Sequence, residues 1–374
     1  MDAHEKLRLL ADEARYDLSC ACGHKARRED HRRRGPDGLW LYPASVPRGG
    51  RSVLLKTLLS SACTNDCRYC PLRVGRDVRR CTLDPSEVAR LFMEYYERGK
   101  VFGLFLTSGV LRSPDDTMDR MLGAAHLLRR QHGFRGYLHL KIIPGASDAA
   151  IDAAVAVASA VSLNVEAPTA SSFRRLTSTK RYEEDIVRPV RRISRLTAAG
   201  GPYARVKQTT QFVVGAAEET DAQIVEAAFR LYRRWGLNRV YFSAYQRGLG
   251  SDDLPGQRRA TSPDALATRE HRLYQADWLL RKYGFEADEI PVEADGNLSL
   301  EADPKTLWAE RHPERFPVAI NRAGRDDLLR VPGFGPVTVG RILRCRAEGR
   351  RIRSLRQVGR LDQRLRRAVP YVTF

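Results

Sequence analysis

Six times between residues 53 and 283, a short apolar run of strand length gives way to a longer stretch with helical spacing of its apolar residues. The strand-like runs are 53–59, 103–107, 137–142, 161–165, 207–214 and 239–243. The helix-like stretches are 85–98, 117–131, 148–158, 183–199, 221–235 and 263–283. Asp84 before Pro85 is a typical opening, an N-cap followed by a first-turn proline. Strict alternation predicts an α/β fold with a parallel sheet wrapped by helices. Six units are too few to close an eight-fold barrel. We therefore expect a partial (β/α)6 barrel over residues 51–285, with a doubly wound open sheet as the alternative. Either fold puts chemistry at the C-terminal ends of the strands. Residues 1–50 form an N-terminal extension, polar and irregular over 23–50. Residues 286–320, with Pro291, Pro304, Pro313 and Pro317, read as a connector to a small all-α module at 321–374.

Directly after the first strand-like run stands Ser61-Ala62-Cys63-Thr64-Asn65-Asp66-Cys67-Arg68-Tyr69-Cys70. Three thiolates at C-x3-C-x2-C spacing can hold three irons of a 4Fe-4S cubane and leave the fourth open. A structural zinc site is the competing reading, with Cys81 or Cys20 as fourth ligand. The spacing, Tyr69 before the third cysteine and the position after the first strand resemble the radical S-adenosylmethionine (SAM) superfamily. That resemblance implies SAM bound at the open iron, its reductive cleavage to a 5′-deoxyadenosyl radical, and an electron donor such as a flavodoxin or ferredoxin. The protein would supply orientation and exclude water.

Other strand ends fit the same picture. Thr107, Ser108 and Gly109 occupy the position of the superfamily's Gly-Gly-Glu segment, which receives the SAM amino group, although that wording is absent here. Asn164 and Glu166 share a face by period two and suit ribose hydroxyls or the methionine amine; ordinary polar residues of a barrel mouth would look the same. Gln211 to Glu218, with Gly215 inside, resembles the adenine segment. His139 and Lys141 lie on one face of the third strand. A lone Lys141 in the barrel interior is costly to bury, so it either snorkels to the mouth or meets an anionic partner, Glu166 or a substrate or cofactor anion. Tyr241, Ser243 and Tyr245 alternate on the sixth strand and are candidates for the substrate pocket, Tyr241 equally for the core, with Lys141, Glu166 and Tyr241 the candidate catalytic side chains. Cys81 reads as an inert thiol before a hydrogen donor, and Cys20 with Cys22 is too little for a second cluster.

The formal net charge is +19, which favours a polyanionic partner. GC-rich codons alone enrich Arg, so the distribution carries more weight than the total. Residues 321–374 hold 14 Arg, no Lys and 4 acidic residues, 14 − 4 = +10. Leu328-Leu329-Arg330-Val331-Pro332-Gly333-Phe334-Gly335-Pro336 within them resembles a helix-hairpin-helix. In that motif, backbone N–H groups at Gly333, Gly335 and Thr338 meet a phosphate at a helix N-terminus, and Arg341 and Arg344 add charge. A hairpin that only packs on the barrel is the plainer reading. Ser354 to Gly359 resembles the start of a second, degenerate copy.

Near its full length the chain resembles a family of DNA modification or repair radical SAM proteins with a C-terminal helix-hairpin-helix. The resemblance is carried by Tyr16-Asp17-Leu18-Ser19-Cys20, the cysteine loop, Gly103 to Gly109, Leu138 to Gly145, Glu270 to Trp278 and Asn321-Arg322-Ala323. It implies a uracil-DNA-glycosylase-like partner. The expectation is an enzyme acting on DNA; an RNA-modifying enzyme and a non-catalytic, redox-sensing DNA-binding protein are the alternatives. There is no apolar run of about 18 or more residues and no signal-peptide pattern at the start, so we expect a cytoplasmic protein without membrane contact.

Overall fold

The computed structural model describes residues 1–16, 32–45, 51–258 and 261–374. An eight-stranded sheet runs in chain order: β1 (Arg33–Arg34), β2 (Trp40–Ser45), β3 (Arg51–Leu58), β4 (Gly103–Thr107), β5 (Tyr137–Lys141), β6 (Ala160–Ser162), β7 (Lys207–Val214) and β8 (Arg239–Ala244). From β4 onward each strand pairs parallel with its predecessor, while β1 and β2 add antiparallel before β3. Parallel neighbours joined by right-handed crossovers that always step the same way keep their helices on one face. The other face becomes the inside of a partial barrel. A doubly wound sheet would need the strand order to reverse, and it does not.

The helices are α1 (Ala3–Glu13), α2 (Pro85–Glu97), α3 (Pro114–His126), α4 (Asp148–Val157), α5 (Ala170–Leu176), α6 (Arg188–Thr197), α7 (Asp221–Trp235), α8 (Pro255–Arg258) and α9 (Pro263–Lys282). Their starts are written in the sequence: Asp2 and Glu5 form a capping box on α1, and Asp84 and Glu87 form one on α2. Along α2, Val88, Leu91, Phe92 and Tyr95 are buried at helical spacing, each contributing roughly 1.5–3 kcal/mol if fully removed from water. Inside the barrel Lys56, Phe105 and His139 stand side by side in register on β3, β4 and β5. The Lys56 ammonium lies 4.8 Å from the Phe105 ring centre, and the Phe105 and His139 rings are 4.0 Å apart. His139 Nε2 reaches Ser162 Oγ at 2.9 Å, so His139 fills the interior below the mouth.

Three local expectations need correction. Residues 40–45 are not irregular but form β2. It tolerates Pro43 because β1 pairs only with Trp40 and Leu41, so among the described residues no outer neighbour needs the missing N–H. The strand expected over 161–165 is cut to Ala160–Ser162, because the backbone turns toward Glu166, whose φ is 64°. The helix expected over 183–199 is a π-helical turn, Tyr182–Val187, leading into α6, and α5 was not anticipated.

The chain divides into two compact units, residues 1–219 with 230–267 and residues 220–229 with 268–374. The second holds α10 (Pro304–Arg311), α11 (Arg325–Arg330), α12 (Pro336–Ala347) and α13 (Gln363–Arg366). It is not purely helical, since β9 (Val318–Ala319) and β10 (Val372–Thr373) pair in parallel. Ile320, Leu328, Leu329, Val331, Phe334 and Ile342 centre its core. Residues 286–320 are part of this unit rather than a simple connector: Trp308 on α10 is fully buried, 5.4 Å from the Phe285 ring and stacked on His312. Among the described residues no helix is long and apolar enough to cross a membrane.

Candidate active site at the strand ends

The loop after β3 folds back over the end of β4. The Leu59 amide donates to the Thr107 carbonyl at 2.7 Å and the Thr64 amide to the Val110 carbonyl at 2.8 Å. Arg80 gathers the carbonyls of Leu72 (2.7 Å), Arg73 (2.9 Å) and Arg76 (3.2 Å), which rounds the loop into a knot. Cys63, Cys67 and Cys70 all face one cavity of about 1160 Å³, open solvent at its mouth included.

Nine of the residues expected at the cofactor and catalytic site line this cavity: Cys63, Cys67, Cys70, Thr107, Ser108, Gly109, Lys141, Asn164 and Glu166. Two do not. Tyr241 shares a strand face with the cavity residue Ser243 but sits two residues deeper, with the Arg239 guanidinium 5.6 Å from its ring. Gly215 lies in a turn closed by Glu219, whose carboxylate accepts the Gly215 amide and, at 2.9 Å, the Ala217 amide. Glu219, not Glu218, therefore closes that turn, while Glu218 pairs with Arg175.

The cavity also holds Tyr69, known from the sequence only as a motif residue, and two residues that the sequence did not point to, Lys180 and Glu13. Tyr69 lines it with Glu166, and burial followed by the Glu166 charge raises the Tyr69 pKa well above the usual range. Lys180 reaches the wall from the segment after α5; burial disfavours its charge, but Cys67 and Glu166 outweigh that and hold the ammonium above its usual pKa. From α1, Glu13 arrives with a carboxyl pushed by burial up to about 7.

Sulfur electrostatics test whether a cluster fits. Burial, then the neighbouring Cys67, pushes the Cys70 thiol up to about 12, and burial raises Cys67 as well. These two sulfurs become thiolates only opposite a cationic centre such as iron. Backbone donors are already aimed at two of the three thiols: the Val110 amide lies 3.4 Å from Cys63 Sγ, and the Leu72 amide 3.4 Å from Cys70 Sγ. Such donors tune and orient ligating sulfur. A three-thiolate cubane fits these residues. Cys81 is not on this wall, its Sγ standing 3.9 Å from the Lys6 carbonyl oxygen, and Cys20 and Cys22 lie outside the described residues. Among the described residues no three His, Cys, Asp or Glu side chains close on one point as a single ion requires; a cubane offers separate irons to separate thiolates.

The second unit carries the remaining expected residues. Gly333 sits in the turn between α11 and α12, and Gly335 is the N-cap of α12, with no side-chain cap on that helix. Thr338 is half-buried in its first turn. Arg341 lies exposed with one nitrogen 3.4 Å from the Val358 carbonyl oxygen, and Arg344 is exposed.

Residues 57–231 match the family described as the radical SAM superfamily. Solved structures similar to this chain include methylornithine synthase PylB (14% identity, 61% of this chain and 61% of that one, TM-score 0.46). Others are the FeFe-hydrogenase maturase HydG from Carboxydothermus hydrogenoformans (14%, 61% and 51%, 0.46) and Streptococcus suis SuiB bound to S-adenosylmethionine (13%, 60% and 47%, 0.45). The chain thus spans between 47% and 61% of the length of these proteins. Comparison with curated proteins found no match.

Proposed function

We infer that this chain, a radical SAM enzyme whose superfamily domain spans residues 57–231 and whose cofactors are a 4Fe-4S cluster and SAM, acts on nucleic acid, with DNA the favoured substrate. In this reading Cys63, Cys67 and Cys70 hold the cluster, and Thr107, Ser108, Gly109, Asn164 and Glu166 hold SAM. Bound together, the two cofactors supply reductive cleavage of a carbon–sulfur bond and, through it, hydrogen abstraction from an unactivated carbon. The chain's own tasks are then local. Tyr69 keeps its phenol protonated near the Glu166 carboxylate on the cavity wall, available as a donor to it. Lys141 brings a cation to the cavity wall. The apolar wall of Ile142, Ile143 and Val213 limits water.

The observation that carries the nucleic-acid reading is the hairpin at residues 325–347. Two helices meet through a five-residue turn, α12 begins without a side-chain cap, and exposed Arg341 and Arg344 follow on that helix. Uncapped first-turn amides with a favourable helix dipole suit a phosphate, and with the surrounding Arg residues this supports a helix-hairpin-helix that grips the backbone without reading sequence. Affinity should fall with salt at a log–log slope of ~0.9 per phosphate neutralised. A base hidden in duplex is out of reach, so the target is expected flipped or single-stranded.

The test is 5′-deoxyadenosine formation by anaerobically reconstituted enzyme with reductant and SAM, with and without DNA. Product that rises with DNA supports the reading, and deuterium passing from labelled DNA into 5′-deoxyadenosine would extend it. Product indifferent to DNA but raised by matched RNA would move the substrate to RNA. No product at full cluster content would leave a redox-sensing DNA-binding role.

A further inference from the structure

One carboxylate ties the segment after α5 to the thiol loop. Asp66, between Cys63 and Cys67, accepts the Thr177 hydroxyl at 2.5 Å, the Ser178 amide at 2.9 Å and the Thr179 hydroxyl at 2.8 Å, and also the Ser178 hydroxyl. Alongside, the Arg68 amide donates to the Leu176 carbonyl at 2.8 Å. Burial works against the Asp66 charge, but the hydroxyls of Ser178 and Thr177 and the Ser178 amide outweigh it, so the carboxylate stays ionised far below its usual range. Charge-assisted bonds of this kind are the strong ones. The residue that follows this knot is Lys180, and it lines the cavity beside Cys67 and Glu166.

An ammonium is costly to bring into a half-buried wall, and Lys180 is brought there toward a ligand sulfur: it follows Thr179, which Asp66 holds next to Cys67, and it lines the same cavity as Cys67. Charge and hydrogen bonds at the ligand sulfurs are among the factors that set an iron–sulfur cluster's potential. Reduction adds negative charge, so a fixed cation at a ligand sulfur stabilises the reduced state more than the oxidised one. We propose that Lys180 raises the electron affinity of the cluster through Cys67, and that Asp66 is the positioning residue that delivers it. This rests on the cofactor alone and is independent of the substrate.

The experiment is a redox titration of the reconstituted protein without SAM, followed by electron paramagnetic resonance, with iron and sulfide measured on each sample. Omitting SAM separates an effect on the cluster from any contact Lys180 makes with SAM. Lys180→Met is expected to move the midpoint to more negative potential at unchanged iron content. Lys180→Arg, which keeps the charge, is expected to stay near the wild-type midpoint, and Asp66→Asn to shift in the same direction as Lys180→Met. An unchanged midpoint in Lys180→Met at full iron content overturns the proposal. If Lys180→Met loses iron, Lys180→Gln is titrated instead: a negative shift supports the assignment, and an unchanged midpoint or renewed iron loss overturns it. A shift in Lys180→Met with none in Asp66→Asn removes Asp66 from its positioning role.

Discussion

A methyl group on Gly109 would stand 2.3 Å from the carbonyl oxygen of Ala62 and 3.1 Å from Cβ of Cys63. The end of β4 and the start of the thiol loop therefore touch backbone to backbone, held by the Gly109 amide donating to the Ser60 carbonyl at 2.8 Å. No flexible side chain lies between them to give way. Gly109→Ala should lift Cys63 away from the Val110 amide and lower iron incorporation severely while the far-ultraviolet circular dichroism stays unchanged. Iron and sulfide analysis after reconstitution checks this, and wild-type iron content would show that the loop adjusts freely.

Cys67→Ala removes the middle thiolate. The cluster should be lost, with its visible absorption, while DNA affinity stays within about twofold, a small change on the scale of binding free energy. The two readouts fall in different compact units, which is why they should part. Loss of both together would mean that the cluster supports folding.

Gly333 has a φ of 83°, and a methyl group there would meet the Arg364 carbonyl oxygen at 2.3 Å. Strain in that region costs about 1–3 kcal/mol, and the clash adds to it. Gly333→Val should destabilise the second unit, shift the turn before α12 and weaken DNA binding several-fold, without changing 5′-deoxyadenosine formation in the absence of DNA. Anisotropy with labelled duplex is the measurement, and unchanged affinity would remove the hairpin from the binding surface.

Lys305 donates to the Phe334 carbonyl in that turn at 2.6 Å, with its ammonium 4.6 Å from the Tyr283 ring centre. Burial pulls its pKa from 10.5 down to about 7; Asp303 opposes the shift and Arg330 assists it. Below about pH 7 both folded and unfolded chains carry the charge, and the burial cost is present in full. Between about 7 and 10.5 only the unfolded chain keeps the proton, so stability rises with pH across that window. Thermal midpoints of the wild type minus those of Lys305→Met should rise over the same interval. A pH-independent difference would mean that Lys305 titrates normally.

How far the sequence could be read depended on how local each signal was. Gly103–Thr107, Lys207–Val214 and Asp221–Trp235 have the bounds that their apolar spacing predicts, because hydrophobic period is a property of neighbours. The three cysteines and the polar residues at the ends of β4 and β6 were legible for the same reason. Lys180 was not: Thr177 to Lys180 reads as a polar loop, and its place on the wall depends on Asp66, more than a hundred residues earlier in the chain. The displacement of Tyr241 from the cavity was equally hidden, since alternation gives the face of a strand but not the depth. Strand β2 went unseen because Pro43 argues against a strand unless the pairing of β1 is already known.

Because each parallel strand lies beside the one before it in the chain, the barrel wall can be laid down in the order of synthesis. The thiols belong to the loop after the first parallel strand, whereas Ser243 and Tyr245, which line the same cavity, arrive with the last strand and the residue after it. In chain order the loop carrying Cys63, Cys67 and Cys70 therefore comes well before the last wall of its cavity, which is complete only once β8 is in place.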